Sequence, residues 1–143
     1  MASARVLIVD DEVEFAQVLS ERIQARGLEA DIVESGMDAL ERIKERSYDA
    51  VILDLAMPEL DGIETLKRLL AEQPELQVIL LTGQATLQKG IQAVKLGAME
   101  FLEKPADIET LVKKIKTAQT KKGALSEKKL DDMISEIVKK RGW

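Results

Sequence analysis

Asp10-Asp11-Glu12, Asp54, Thr82 and Lys104 each stand at or just past the end of a short apolar run. Carboxylates brought together repel one another and shift their own ionisation unless a cation joins them. The chain has no His and no Cys, which removes the commonest general base, thiol nucleophiles, and imidazole or thiolate metal ligands. Oxygen ligands alone favour a hard cation, and a few carboxylates completed by water and phosphate oxygens suit Mg²⁺. A carboxylate beside such a cation can attack phosphorus and form an acyl phosphate, and being already ionised it needs no general base. Lys104 would add positive charge for the phosphoryl oxygens, and the Thr82 hydroxyl a donor. Each residue alone has a plainer reading. Asp10 and Asp11 suit a helix N-terminus, Asp54 and Thr82-Gly83 a turn, Lys104 a solvated surface, and Pro105 the first turn of a helix. What favours chemistry is their conjunction at several strand ends.

The elements that position these residues alternate along the chain. Val6-Leu7-Ile8-Val9 reads as a strand, followed by a helix with Phe15, Leu19 and Ile23 at four-residue spacing that Gly27 ends. Residues 28–33 alternate between apolar and acidic. Ser35 is placed to cap a helix carrying Met37, Leu40 and Ile43, with Asp38 at its third position. Val51-Ile52-Leu53 is a buried strand, and Ile63, Leu66 and Leu70 mark a helix closed before Pro74. Val78 to Leu81 is a fourth strand. Residues 85–96 form a helix closed by Gly97, weakened by Gly90 and anchored by Leu87, Ile91 and Val94. Met99 to Leu102 reads as a short fifth strand, and Ile108, Leu111, Val112 and Ile115 mark a fifth helix.

Five βα units imply an α/β fold with a parallel sheet covered on both faces. The first, third and fourth strands are uninterrupted apolar runs, whereas the second and fifth are mixed with charge and belong at the edges. Order 2-1-3-4-5, the flavodoxin-like doubly wound five-stranded sheet, satisfies that and puts the ligand crevice at the carboxyl ends of strands one and three. Past residue 120, Thr120-Lys121-Lys122-Gly123 reads as a polar break, and Leu130, Met133, Ile134, Ile137 and Val138 form a stripe on a further helix. The division expected is 1–120 as the main domain, 121–125 as linker and 126–143 as a separate C-terminal amphipathic helix. That helix is expected to dock on the region of helix four, strand five and helix five, in its own chain or a second copy, or else to be a linker helix of a longer multidomain regulator.

Composition narrows the function. At 143 residues, 45% hydrophobic and 33% charged, the chain can bury a core. A net charge of −5 argues against direct DNA binding, and Lys128-Lys129 and Lys139-Lys140-Arg141 read as a solvated helix face. No apolar run is long enough for a membrane span or signal peptide, so a cytoplasmic location is expected.

Asp10-Asp11 after an apolar strand, Asp54-x-x-Met57-Pro58 with Asp61-Gly62, Thr82 after the fourth strand and Lys104-Pro105 after the fifth resemble the receiver domain of bacterial two-component response regulators. The resemblance covers residues 5–120. The stretch from Thr82-Gly83-Gln84-Ala85-Thr86 to Lys104-Pro105 is similar to receivers of nitrogen-regulation-type activators. The resemblance implies a phosphorylation-dependent switch, not an enzyme beyond its own phosphoryl transfer and dephosphorylation. It implies Asp54 as phosphoacceptor, with Asp11, Asp54 and the Ala56 carbonyl binding Mg²⁺ directly and Asp10 through water. Thr82 and Lys104 would contact the phosphoryl group, Phe101 would occupy the aromatic switch position, and the Lys104–Pro105 bond would be cis. The partners implied are a histidine kinase or phosphotransfer protein and an effector protein or output domain, with a homodimer possible. Three competing readings fit less well. A haloacid-dehalogenase-like phosphatase needs Asp-x-Asp-x-Thr after the first strand, a flavin carrier needs a phosphate loop where this chain has acids, and a phosphorylation-independent pseudo-receiver would not need Asp54, Thr82 and Lys104 together.

Overall fold

The computed structural model describes residues 3–56, 62–83 and 87–140. Its elements run β1 (Arg5–Val9), α1 (Val13–Gln24), β2 (Glu29–Val33), α2 (Gly36–Glu45), β3 (Ala50–Leu53), α3 (Gly62–Glu72), β4 (Val78–Thr82), α4 (Leu87–Lys95), β5 (Glu100–Glu103) and α5 (Ile108–Lys140). The five strands form one parallel sheet in the order β2-β1-β3-β4-β5. Alternate residues of the inner strands feed two separate cores. Leu7, Val9, Val51, Leu53, Val78 and Leu80 face α2, α3 and α4 with Ala39, Ile43, Leu66 and Leu69. Val6, Ile8, Ala50, Ile52, Ile79 and Leu81 face α1 and α5 with Leu19, Ile23, Leu111 and Ile115. Both faces of the inner strands are therefore dry, which is why they are apolar throughout, while β2 and β5 are only partly buried.

The local signals act as their chemistry requires. Ser35 Oγ accepts the Asp38 N–H at 3.1 Å, satisfying an orphan donor at the start of α2. Gly27 and Gly97 follow α1 and α4 with φ of 84° and 118°, a backbone region that costs glycine little. Met57 to Asp61 and Gln84 to Thr86 lie outside the described residues, and with them parts of two motifs.

Three expectations are corrected. The fifth strand is Glu100–Glu103, one residue later than the expected Met99 to Leu102, with the Met99 N–H already bonded to Val78 O at 2.8 Å. Ile91 and Val94 do not anchor α4, being 47% and 43% exposed. Small residues hold that helix instead. Ala93 is buried, and a Cβ built on Gly90 would stand 2.4 Å from the Phe101 ring, so the missing side chain is the space that the ring fills.

The largest correction is at the C-terminus, where the expected break at 121–125 is absent and α5 runs unbroken for 33 residues. Gly123 costs a helix only about 1 kcal/mol, and propagating a helix that is already nucleated outweighs one such residue. Leu111, Val112, Ile115 and Ala118 bury its base, and Lys122 Nζ donates to Ser47 Oγ at 2.8 Å and Tyr48 O at 2.6 Å. The helix is thus held through the segment where a turn was expected, and a fold-back has no hinge. Met133 and Ile134 are 55% and 51% exposed rather than docked on their own receiver. The side chains of Leu130, Ile137 and Val138 lie outside the described residues.

Candidate functional site

The inner strands deliver their acids to one place. Asp10 and Asp54 continue β1 and β3, adjacent strands paired Val9 to Leu53, and the Asp54 N–H bonds to Val9 O at 3.0 Å. Both side chains are buried. The Asp10 backbone is tied in turn to β2 through Val33 O at 3.1 Å. Oxygen atoms of Asp10, Glu12 and Asp54 all lie within 4.8 Å of one another.

Lys104 enters this acidic pocket from the far end of β5. Its Nζ stands 2.8 Å from Asp10 Oδ2, 3.2 Å from Glu12 Oε1 and 3.3 Å from Asp54 Oδ2. The second oxygens are also bonded, Asp10 Oδ1 to the Glu12 N–H at 2.9 Å and Asp54 Oδ1 to the Ala56 N–H at 3.0 Å. Among the described residues, three carboxylates thus share the Lys104 ammonium, and negative charge exceeds positive in the cluster. The electrostatics record the strain. Burial pushes the Asp10 carboxyl above the usual aspartate range even though Lys104 pulls it down. For Lys104, burial favours the neutral amine, but Asp10, Asp54 and Glu12 outweigh it and hold the ammonium above the ordinary lysine range.

Glu12 occupies the N-cap position of α1 but makes no side-chain capping bond there. Its carboxylate is turned to Lys104 instead, so Glu12 does not act as a helix cap. Asp11 is exposed and is not a member of the carboxylate cluster. Of the residues singled out in the sequence, Asp10, Asp54 and Lys104 come together with the Ala56 backbone beside them. Thr82 ends β4, and its side chain lies outside the described residues. Phe101 is half-buried on β5 against α4, and the Lys104–Pro105 bond is cis. Glu12 and Phe15 had no assigned role. Phe15 reads as one apolar position of an amphipathic helix, yet its ring centroid lies 4.4 Å from Lys104 Nζ.

The donor set suits a small hard cation, with oxygens only, two of the carboxylates buried, and an excess of negative charge. No helix of the described residues is long and apolar enough to cross a membrane.

Residues 6–116 match the family model described as the response regulator receiver domain. Among curated proteins, the transcriptional regulatory protein ZraR of Escherichia coli is 33% identical over 106 residues, 74% of this chain and 24% of that protein. The chain therefore spans about a quarter of that relative's length. Among solved structures, a response regulator receiver domain protein from Clostridium thermocellum superposes with a TM-score of 0.81 at 34% identity, covering 85% of this chain and 98% of its own. The receiver domain of NtrX from Brucella abortus does so with a TM-score of 0.76 at 28% identity, covering 80% and 98%.

Proposed function

For a chain that belongs to the receiver domains of response regulators, and hence to phosphorylation-dependent signalling, we propose that Asp54 is the phosphoacceptor. The observation that carries this is the Asp54 carboxylate itself, buried at the carboxyl end of β3 with Lys104 Nζ 3.3 Å from one oxygen and the Ala56 N–H on the other. The donor is a phosphohistidine of a histidine kinase or phosphotransfer protein. An Asp54 oxygen attacks phosphorus, the P–O bond forms, the P–N bond breaks, and the electron pair leaves with the imidazole. Lys104 follows the negative charge from the carboxylate to the phosphoryl oxygens, and the Thr82 hydroxyl donates to them.

Mg²⁺ would be held by Asp54 and Asp10, with the Ala56 carbonyl and the acids beside Asp10, namely Asp11 and Glu12, completing the set. When bound it neutralises charge on the transferring group. The chain's own part is to fix Asp54 beside Lys104 and shield it from bulk water. Phosphorylation adds negative charge at the site. Movement of Thr82 towards it would draw the β4–α4 connection, and Phe101, packed over Gly90, would move with α4. The output surface is then α4, β5 and α5, read by an effector protein, an output domain or a second copy. Residues 1–120 form the receiver unit, and the rest of α5 carries its state outward.

Intact-mass analysis after incubation with acetyl phosphate and Mg²⁺ tests the assignment. Wild type should gain one phosphoryl group, and Asp54→Asn or chelation should abolish it. Mg²⁺ should also raise the melting temperature, by the equivalent of about 2.7 kcal/mol at a hundredfold excess over its Kd. An undiminished adduct on the Asn variant would sink the assignment.

A further inference from the structure

The Lys104 ammonium has two kinds of neighbour. Three are carboxylates at 2.8, 3.2 and 3.3 Å, and the fourth is the face of Phe15 at 4.4 Å from the ring centroid. A cation at that distance from an aromatic face is attracted by the ring quadrupole, and more strongly where water is kept away. Here it is largely kept away, since the Lys104 side chain is only 12% exposed. The ring is not free to swing. Phe15 lies in the first turn of α1 and packs against the core on the α1 and α5 face of the sheet.

The two kinds of neighbour differ in how they respond to the reaction. If Asp54 takes a phosphoryl group, its carboxylate becomes an acyl phosphate and the charge it offered Lys104 moves to new oxygens. Glu12, 63% exposed, is a long side chain that water can claim. The aromatic face has no charge to lose in the reaction. It is the contact that can steer a flexible four-carbon lysine through both states of the site. A Leu at position 15 would serve the apolar stripe of α1 as well as Phe does, so packing alone gives no reason for a ring.

We propose that Phe15 is a positioning residue for phosphoryl transfer, holding the Lys104 ammonium over its ring so that it meets the incoming phosphoryl oxygens. This rests on the reading of Asp54 as acceptor, and the test separates the two. Wild type, Phe15→Tyr and Phe15→Leu are compared in the full chain, with melting curves establishing that each is folded. In the unphosphorylated protein, NMR should show the Lys104 ε-methylene protons shifted upfield by the ring in wild type and the Tyr variant, and unshifted in the Leu variant. The rate of adduct formation from acetyl phosphate should fall about five- to tenfold in Phe15→Leu, the order expected of one desolvated cation–π contact, and stay within about twofold in Phe15→Tyr. Equal rates in all three variants would overturn the proposal, and so would equal losses in Tyr and Leu or the absence of a ring-current shift in wild type. If wild type takes no phosphoryl group, the acceptor reading fails, and the NMR comparison still decides whether Phe15 holds Lys104.

Discussion

Two carboxylate sites in this protein are built to opposite rules. At the carboxyl ends of β1 and β3, Asp10, Glu12 and Asp54 share the single ammonium of Lys104. Beside the β2 edge, one carboxylate faces two guanidinium groups and a hydroxyl. Asp31 Oδ2 accepts the Tyr48 hydroxyl at 2.6 Å and Arg46 at 2.9 Å, with Arg42 at 3.9 Å. Tyr48 is 1% exposed, and burial, then its bond to Asp31, holds its hydroxyl proton more tightly than usual. A carboxylate with more than one cation fastens elements together, here β2, the end of α2 and the approach to β3. Carboxylates that outnumber the cations around them cost stability, and that cost is tolerated where the charge has a use. The excess of negative over positive charge among the described residues, rather than the presence of acids, separates a site from a staple.

The sharpest way to break that contrast is to remove one group from each cluster and compare the signs. Tyr48→Phe deletes a buried donor to a charged acceptor and should cost about 2 kcal/mol. In a chain of this length that lowers the melting temperature by roughly 6 °C. An unchanged melt would mean that the guanidiniums alone satisfy Asp31.

Asp10→Asn should do the reverse, raising the melting temperature by roughly 3 °C in the absence of divalent cations, as about 1 kcal/mol of repulsion and desolvation is relieved. The gain should depend on pH in one direction. Burial raises the folded Asp10 carboxyl above its unfolded value, so the native state holds the proton longer as pH increases. The stability of wild type contributed by this group is fully present below the unfolded value and is lost as pH rises through the folded one. The advantage of the Asn variant should therefore vanish in acid, grow through the window above the ordinary aspartate range, and level off towards neutrality. A variant that melts lower than wild type at neutral pH would contradict the account of an overcharged site.

The smallest effect expected belongs to a position in neither cluster. A Cβ on Gly123 meets nothing within 4 Å, so Gly123→Ala should gain the helix about 0.5–1 kcal/mol. Amide exchange in residues 119–127 should slow about threefold while the global melt hardly moves. Faster exchange there would show that glycine serves some purpose in α5.

Much of this architecture is written in local pattern. Inner strands buried on both faces have to be apolar throughout, edge strands need not be, and that difference by itself identified the strand order. The same reasoning found Asp10, Asp54 and Lys104, because a parallel sheet gathers the ends of its strands whatever the intervening chain does. Short-range signals could not report what depends on distant neighbours. Gly90 weakens an isolated helix, yet in the fold it makes room for Phe101, eleven residues on. Gly123 looked like a hinge, but the packing of Leu111 to Ala118 and the reach of Lys122 to Tyr48 carry α5 through it. Phe15 was one apolar position in a stripe until β5 brought Lys104 over its ring. Spacing along the chain decided which residues share a face or an edge. Which of them touch, and so whether Glu12 or Asp11 joins the buried acids, was settled only when separate βα units closed on one another, since side-chain contacts across units carry no period in the sequence.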